Sequence, residues 1–382
     1  MLHSSKLHRS ELCGPVLVSD PVAWLTTAQT DLPVQFYSAA ALDRRHQQFR
    51  AGFPGEVTFA VKANPSPVAL AQLVAGGMRS FDVASPEEIL LVRNVFPGAV
   101  LHYHNPVRSE AEVAAGLAAG VTSWSVDDLA ELNKLIRAGV TGEVAVRFAL
   151  PVRGAAYDFG AKFGATPADA VALLRAVVCA GLTPSLTFHV GTQCPTPAPW
   201  AAYLAQAAQI AQEAGVGLHR LNVGGGFPSA RNGVEPVYES FFKVIRTALD
   251  LFSVKPQLVC EPGRGLVADA FAYAVQVKSV RKGRVYLNDG IYGGLSEFPS
   301  MGLPAFRVIG PQGIDRGGPA QPCVVYGPTC DSLDQLPGEI GLPVALTEGD
   351  WLLFRAMGAY MFGVTTRFNG YGTWDSVTVA SL

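Results

Sequence analysis

The sequence predicts an α/β protein, a (β/α)8 barrel of the TIM type followed by a C-terminal all-β domain, and three observations carry that prediction. Between residues 57 and 261, short apolar or β-branched runs alternate with longer Ala/Leu-rich segments, the pattern of parallel βα units. Eight such runs can be counted, the number that closes a barrel, and 382 residues leave room for a second unit. From about residue 270 the alternation gives way to strand-like stretches joined by Gly/Pro-rich turns, with no long helical pattern.

The elements follow in order. Residues 1–37 match neither pattern and are expected to pack with the β domain, with 34–38 leading into a barrel domain over 38–268. Its strands are expected at 57–61, 80–83, 100–103, 122–124, 143–148, 184–188, 218–223 and 257–260. Helices are expected among the intervening segments at 67–75, 86–95, 126–138, 167–180, 200–214 and 238–252, several opening with Pro or an acidic residue. The β domain, 269–382, should be a sandwich or barrel with strands at 271–280, 284–288, 322–326, 350–354 and 377–380.

Composition removes several function classes. Nearly half of the residues are apolar, enough for a sizeable core, while a formal net charge of -2 without Lys/Arg runs gives nucleic-acid binding no support. The N-terminus lacks an apolar signal-type core, and Gly, Pro or charge interrupts each hydrophobic run before it reaches bilayer length, so a cytoplasmic protein without a membrane partner is expected. The six cysteines, Cys13, Cys179, Cys194, Cys260, Cys323 and Cys330, form no C-x-x-C pair. They predict free thiols, with neither a disulfide framework nor a metal site.

The residues at or just past the strand ends are more informative: Lys62, Asp82, His104, Ser125, Arg147, His189, Gly224-Gly225-Gly226 and Glu261. Active sites of such barrels are built at that face. Lys62 ends an apolar run before Asn64-Pro65, and a lysine in an apolar setting loses part of its preference for charge and can form a Schiff base with an aldehyde. The alternative is a strand-end lysine snorkelling to water. Three consecutive glycines let a phosphate approach backbone N–H groups, or simply turn the chain. Glu261-Pro262-Gly263-Arg264-Gly265 adds donors and a cation for the same phosphate. Glu261 can keep a heteroaromatic nitrogen protonated or pair with Arg264, and His189 can stack on a planar cofactor or be an ordinary satisfied histidine. In the β domain, residues 327–334 set Cys330 beside Asp331, a proton donor and an anchor for a cationic substrate, or else an Asp-rich turn. Tyr360, in a strand-like stretch after Gly358-Ala359, can donate to phosphate or be a buried tyrosine.

Together these segments resemble the fold-type III pyridoxal-phosphate decarboxylases, the ornithine, diaminopimelate and biosynthetic arginine decarboxylase family, from Phe36-Tyr37 to Phe368-Asn369-Gly370. The resemblance implies an alanine-racemase-like barrel plus β domain, pyridoxal 5'-phosphate as cofactor, and a head-to-tail homodimer in which each site borrows the cysteine loop of its partner. It implies Lys62 as the lysine that carries the cofactor, Asp82 as an acid near it, and His189 as the residue stacked on the ring. Glu261 matches the partner of the pyridine nitrogen. Gly224, Gly225, Gly226, Arg264 and Tyr360 match phosphate contacts, Thr192 stands where the family usually has serine, and Arg147 and Gly263 join the cofactor set. Cys330 matches the residue that helps protonate the product carbon, and Asp331 matches an acid holding the distal amine of the substrate, with Tyr292 in the same pocket.

The implied activity is decarboxylation of a basic L-amino acid, first of all ornithine to putrescine in polyamine biosynthesis. One departure stands out: where ornithine enzymes usually present a Tyr-Asp pair, the segment 294–301 reads Gly-Leu-Ser-Glu-Phe-Pro-Ser-Met, and Glu297 is the available substitute. A larger or conjugated diamino acid from a specialised pathway is the alternative. Diaminopimelate enzymes typically carry Glu directly after the cysteine, racemases of this type place an arginine where Glu261 stands, and a non-catalytic relative should have lost one of Lys62, His189, Glu261 or Cys330.

Overall fold

A computed structural model describes residues 18–151 and 162–382. After a short helix α1 (Pro21–Leu25), strand β1 (Val34–Tyr37) is fully buried; it runs antiparallel to the start of β11 (Phe271–Arg281) and parallel to β17 (Asp375–Thr378). The entering strand is thus part of the C-terminal sheet. Ser38 then caps α2 (Ala39–Gly52), accepting from the Ala41 N–H at 3.3 Å.

Nine parallel strands follow in sequence order: β2 (Glu56–Val57), β3 (Phe59–Ala60), β4 (Ser80–Val83), β5 (Val100–Tyr103), β6 (Ser123–Val126), β7 (Glu143–Arg147), β8 (Thr183–Thr187), β9 (Arg220–Asn222) and β10 (Gln257–Cys260). The first two are halves of one stave, interrupted at Thr58. β3 pairs with β4 and β2 with β10, and Thr58 bridges the seam by donating its N–H (2.9 Å) and Oγ1 (3.1 Å) to the Cys260 carbonyl. The eight-stave barrel therefore closes.

Helices α3 (Pro67–Ala75), α4 (Pro86–Val95), α5 (Glu110–Ala118), α6 (Leu129–Arg137), α7 (Pro167–Cys179), α8 (Ala198–Ala214) and α9 (Tyr238–Ala248) cover it. α3 and α4 match their expected limits. α6 starts late because Asp128 caps it through the Ala130 N–H, and α9 ends early as residues 249–251 tighten into a 3-10 turn. The expected strand 57–61 stops at Ala60, where the chain turns into a 3-10 segment, Val61–Ala63. The strand at 122–124 lies at Ser123–Val126 instead, so Ser125 sits inside β6 rather than beyond it.

Outside the barrel wall an aromatic cluster of Phe49, Trp200, Phe227, Tyr238, Phe241 and Phe242 glues α2, α8 and α9 to the loop after β9. The barrel interior carries charge. Arg220 pairs with Glu143 (2.6 Å) and Glu56 (3.1 Å), and Ser185 donates to Glu143 at 2.6 Å.

The C-terminal sheet runs β13 (Phe306–Ile309), β16 (Trp351–Phe354), β11, β12 (Arg284–Leu287), β14 (Ala320–Tyr326), β15 (Ile340–Pro343), with β1 against the start of β11 and β17 on the far side of β1. A register shift between Val277 and Ser279 lets the long β11 serve both groups of strands. β13 and β15 fall where the sequence signalled no strand, and β17 overlaps the expected 377–380 but starts two residues before it. The five described cysteines are free, and Cys13 lies outside the described residues. No described helix is long and apolar enough to cross a membrane.

Candidate active site

Lys62 sits on the 3-10 turn that ends β3, at the carboxyl mouth of the barrel. That turn is bolted to the β domain: Asn64 Nδ2 donates to the Gly358 carbonyl (2.8 Å), and the Tyr360 N–H donates to the Ala63 carbonyl (2.6 Å). Tyr360 is not in a strand. It has φ +63, an unusual conformation for a side-chain-bearing residue, and caps the short helix Met361–Val364. Lys62 opens between two cavities. One is lined by His189, Thr192, Gly225, Gly226, Gly263, Arg264 and Tyr360; the other, the roomier, by Asp82, His104, Arg147, Lys162 and Phe163. Lys62, His189 and Glu261 line both, so the two are halves of one site. A larger space of about 660 Å³ lies beside Arg44, Arg45 and Arg355, and none of the strand-end residues reaches it.

The mouth is a charge cluster rather than an apolar setting. Burial would lower the Lys62 pKa, but Asp82, Tyr360 and Glu261 outweigh it and the amine is held above its usual value, opposite to the expectation for a desolvated lysine. Burial and then Glu261 push Asp82 up, and its Oδ1 is buried without a hydrogen-bond partner. Glu261 moves the other way. Burial would raise it, yet the hydrogen bond and charge of His104, with Lys62 and Asn222, hold it below the usual carboxylate range. His104 Nδ1 lies 2.6 Å from Glu261 Oε1 and its Nε2 3.0 Å from Ser123 Oγ, while Asn222 Nδ2 donates to the same Oε1. No ion pair joins Glu261 to Arg264.

His189 is pushed down to about 3 by burial and then by Lys62 and Arg147, so its ring is neutral near pH 7. Its Nδ1 accepts the Gly191 N–H at 3.1 Å, which leaves the ring proton on Nε2. Burial lowers Arg147 despite Glu261, Asp127 and Asp82, and its guanidinium lies 5.2 Å over the Phe163 ring.

On the other side, Gly224 (φ +67) and Gly226 (φ +94) need glycine for their backbone. A Cβ on Gly225 would lie 2.7 Å from the Glu261 carbonyl oxygen and 3.1 Å from His189 Nε2. Arg264 lies 5.0 Å over the Tyr360 ring and forks onto Glu297, with Nη1 to Oε2 at 2.9 Å and Nη2 to Oε1 at 2.5 Å. Glu297, the candidate for the distal amine of a substrate, is thus engaged at the Arg264 side of the mouth.

Cys330, Asp331 and Tyr292 are elsewhere. The Cys330 N–H donates to Asn369 Oδ1 at 3.0 Å and its thiol is exposed; the Tyr292 hydroxyl donates to Asp331 Oδ2 at 2.6 Å. Cys330 and Asp331 line a surface hollow of about 490 Å³ with Lys278, Arg281 and Tyr326, and neither lines the cavities around Lys62.

The sequence profile described as "Pyridoxal-dependent decarboxylase, pyridoxal binding domain" matches residues 39–268. The chain belongs to this family. It is 32% identical over 362 residues to Antizyme inhibitor 2 of Xenopus laevis, covering 86% of this chain and 76% of that one, and 30% identical over 367 residues to the ornithine decarboxylase of Mus musculus, covering 88% and 78%. A solved structure of the lysine/ornithine decarboxylase of Vibrio vulnificus with cadaverine superposes with a TM-score of 0.80 at 28% identity, covering 92% of this chain and 95% of that chain.

The decarboxylase uses pyridoxal 5'-phosphate as its cofactor, and the mouth has the donor set for it. The N–H groups of Gly225, Gly226 and Gly263 make no hydrogen bond to the described residues and line the smaller cavity, a fit for a phosphate ester. Lys62, His189 and Glu261 surround the neighbouring space, where an amine, a flat neutral ring and a carboxylate suit an aldehyde-bearing pyridine.

Three residues near this site received no role from the sequence. Asn64 was part of the lysine motif and Asn222 preceded the glycines, but nothing in their spacing signalled the bonds they make. His104 stood at a strand end like the others; only the closure of the barrel sets it against Glu261, 157 positions away.

Proposed function

We propose that the enzyme removes the α-carboxylate of a basic L-amino acid, with L-ornithine to putrescine and carbon dioxide as the first assignment. The observation that supports this best is the convergence of Lys62, His189 and Glu261 on one mouth, next to unpartnered glycine N–H groups. Names of the relatives point the same way: the mouse protein is called an ornithine decarboxylase and the Vibrio protein a lysine/ornithine decarboxylase. A third relative is named an antizyme inhibitor, yet Lys62, His189, Glu261 and Cys330, whose loss would fit a non-catalytic protein, are all present here.

Bound in the mouth, pyridoxal phosphate supplies the electron-withdrawing ring that accepts the electrons of the broken Cα–carboxylate bond. Everything else falls to side chains. Lys62 holds the cofactor and later frees the product amine. Glu261 keeps a proton at the ring nitrogen; His189, neutral and fixed through Gly191, packs on the ring face without adding charge; Asp82 and Arg147 flank Lys62. Gly225, Gly226, Gly263, Thr192, Arg264 and Tyr360 take the phosphate, while Gly224, whose N–H is spent on Asn222 Oδ1, shapes the turn. Cys330 returns a proton to Cα, and Asp331 with Tyr292 anchors the distal amine.

Cys330 and Asp331 line a different hollow from the one around Lys62 of the same chain, which supports a head-to-tail homodimer whose partner supplies this loop. A cytoplasmic setting goes with this reading.

The engagement of Glu297 by Arg264 favours a second reading, in which Asp331 alone faces the distal group and the substrate is a larger or conjugated diamino acid. A substrate panel decides between them: carbon dioxide release and amine identification with ornithine, lysine, arginine, meso-diaminopimelate and 2,3-diaminopropionate derivatives. Putrescine at the highest kcat/KM supports ornithine. No product from any simple diamino acid, with the cofactor still bound to Lys62, overturns it in favour of the conjugate.

A further inference from the structure

We propose that His104 is a positioning residue that aims Glu261 at the ring nitrogen of the cofactor, an inference that rests on the role given to Glu261 above. Two donors converge on a single oxygen: His104 Nδ1, at 2.6 Å, and Asn222 Nδ2 both bond Oε1 of Glu261. Oε2 accepts no hydrogen bond from the described residues, and Glu261 borders both halves of the mouth. A carboxylate gripped by one oxygen cannot swing, so its second oxygen keeps one direction.

The grip is itself held. His104 Nε2 is 3.0 Å from Ser123 Oγ on β6, so the imidazole is pinned at both nitrogens and cannot rotate. Asn222 is fixed in the same way, because its Oδ1 accepts the Gly224 N–H at 2.9 Å. That last bond ties the carboxylate clamp to the first glycine of the phosphate turn, so ring and phosphate ends share one frame.

The arrangement does not depend on the charge of His104. Nδ1–H donates to Glu261 in the neutral and the protonated ring alike, and the Ser123 hydroxyl can donate to Nε2 or accept from it. The groups facing the imidazole are Asp82 on β4, His102 on β5 with ring centroids 5.7 Å apart, Glu143 on β7, and Glu261 itself. Burial and His104 push His102 down to about 3, so it adds no charge. Burial opposes the charged form of His104 too, but Glu261, Asp82 and Glu143 together raise it. Such a side chain would be costly to bury for packing alone, whereas two satisfied nitrogens make it a rigid strut.

The test uses the pyridoxal-phosphate-loaded protein in four forms: wild type, H104A, H104Q and E261Q. Measured are kcat, KM, the dissociation constant of the cofactor, and the 15N resonance of ring-labelled cofactor, which reports the proton on the ring nitrogen. Loss of one charge-assisted hydrogen bond predicts a kcat lower by about tenfold or more in H104A, with KM little changed. Its 15N signal should move toward the unprotonated position, and H104Q, which keeps a side-chain N–H donor, should recover part of both. H104A with the wild-type 15N signal and kcat per bound cofactor, beside an E261Q that loses them, overturns the inference alone, including when H104A is less stable. E261Q with an unchanged 15N signal overturns the role of Glu261 and the inference with it.

Discussion

The barrel mouth and the cysteine loop are built to opposite rules. At the mouth, charged groups at the ends of β3, β4, β5, β7 and β10 face one another, with Asp82, His104 and Glu261 buried and Lys62 open to the cavity, and each carries a perturbed proton affinity: Lys62 and His104 raised, Glu261 lowered, Asp82 raised, Arg147 lowered. In the loop, Cys330 is exposed and Asp331 is shifted down by the Tyr292 hydroxyl and the Leu333 N–H of its own surface. Interlocked buried charges are fixed by one chain and shift each other strongly. Exposed polar groups on a turn have ordinary chemistry until something covers them.

The sharpest way to break this comparison is at the lysine. Lys62→Ala should remove covalent attachment of the cofactor and lower activity by on the order of a thousandfold or more; the visible absorbance of bound cofactor and carbon dioxide release both report it, and full activity would refute the role. Glu261→Gln comes next, with kcat down by about a hundredfold, and an unchanged rate would mean that the ring nitrogen has another partner. The loop gives a test of a different kind. Cys330→Ala and Lys62→Ala proteins should each be weak, but mixing and reassorting their subunits should restore about a quarter of wild-type activity if each site takes the loop from its partner. No recovery on mixing would place both residues in one chain's site.

Smaller effects sharpen the picture within the mouth. Glu297→Gln removes a carboxylate from Arg264 and should tighten cofactor binding by a few-fold, about 1 kcal/mol or less for a partly exposed pair; weaker binding would instead make Glu297 an orienting partner of the guanidinium. Asp82→Asn should act mainly on pH dependence. Burial and Glu261 raise the Asp82 pKa, so above the ordinary value of 3.8 the folded state holds a proton that the unfolded chain has released, and stability falls as pH rises toward the folded value. The Asn variant should lose that part of the slope, read from denaturant midpoints of the cofactor-free protein across pH. An identical slope would mean that Asp82 ionises normally.

How much of this was legible beforehand differs by element. The strands at 80–83, 100–103 and 257–260 and the helices at 67–75 and 86–95 have the limits read from the pattern, and three of them, 67–75, 86–95 and 257–260, start at or just after a proline. α5 went unassigned although Ser109 and Glu112 form a capping box, a local signal strong enough to have shown it. β13 and β15 lie in a stretch rich in Gly and Pro, and their partners β16 and β14 define them more than their own residues do.

The candidate site divides in the same way. The order of residues after the apolar runs was enough to bring Lys62, Asp82, Arg147, His189, the three glycines and Glu261 to one end of the barrel, since parallel strands all present their carboxyl ends to the same face. Which of them bond was decided only by closure. Glu261 chose His104 over the nearby Arg264, Arg264 took Glu297, and Asn64 reached across to Gly358 in the other domain. Strand period and turn chemistry are local and act over a few residues. The partner of a buried charge is whichever opposite group the tertiary packing leaves within about 3 Å, and no spacing along the chain encodes that distance.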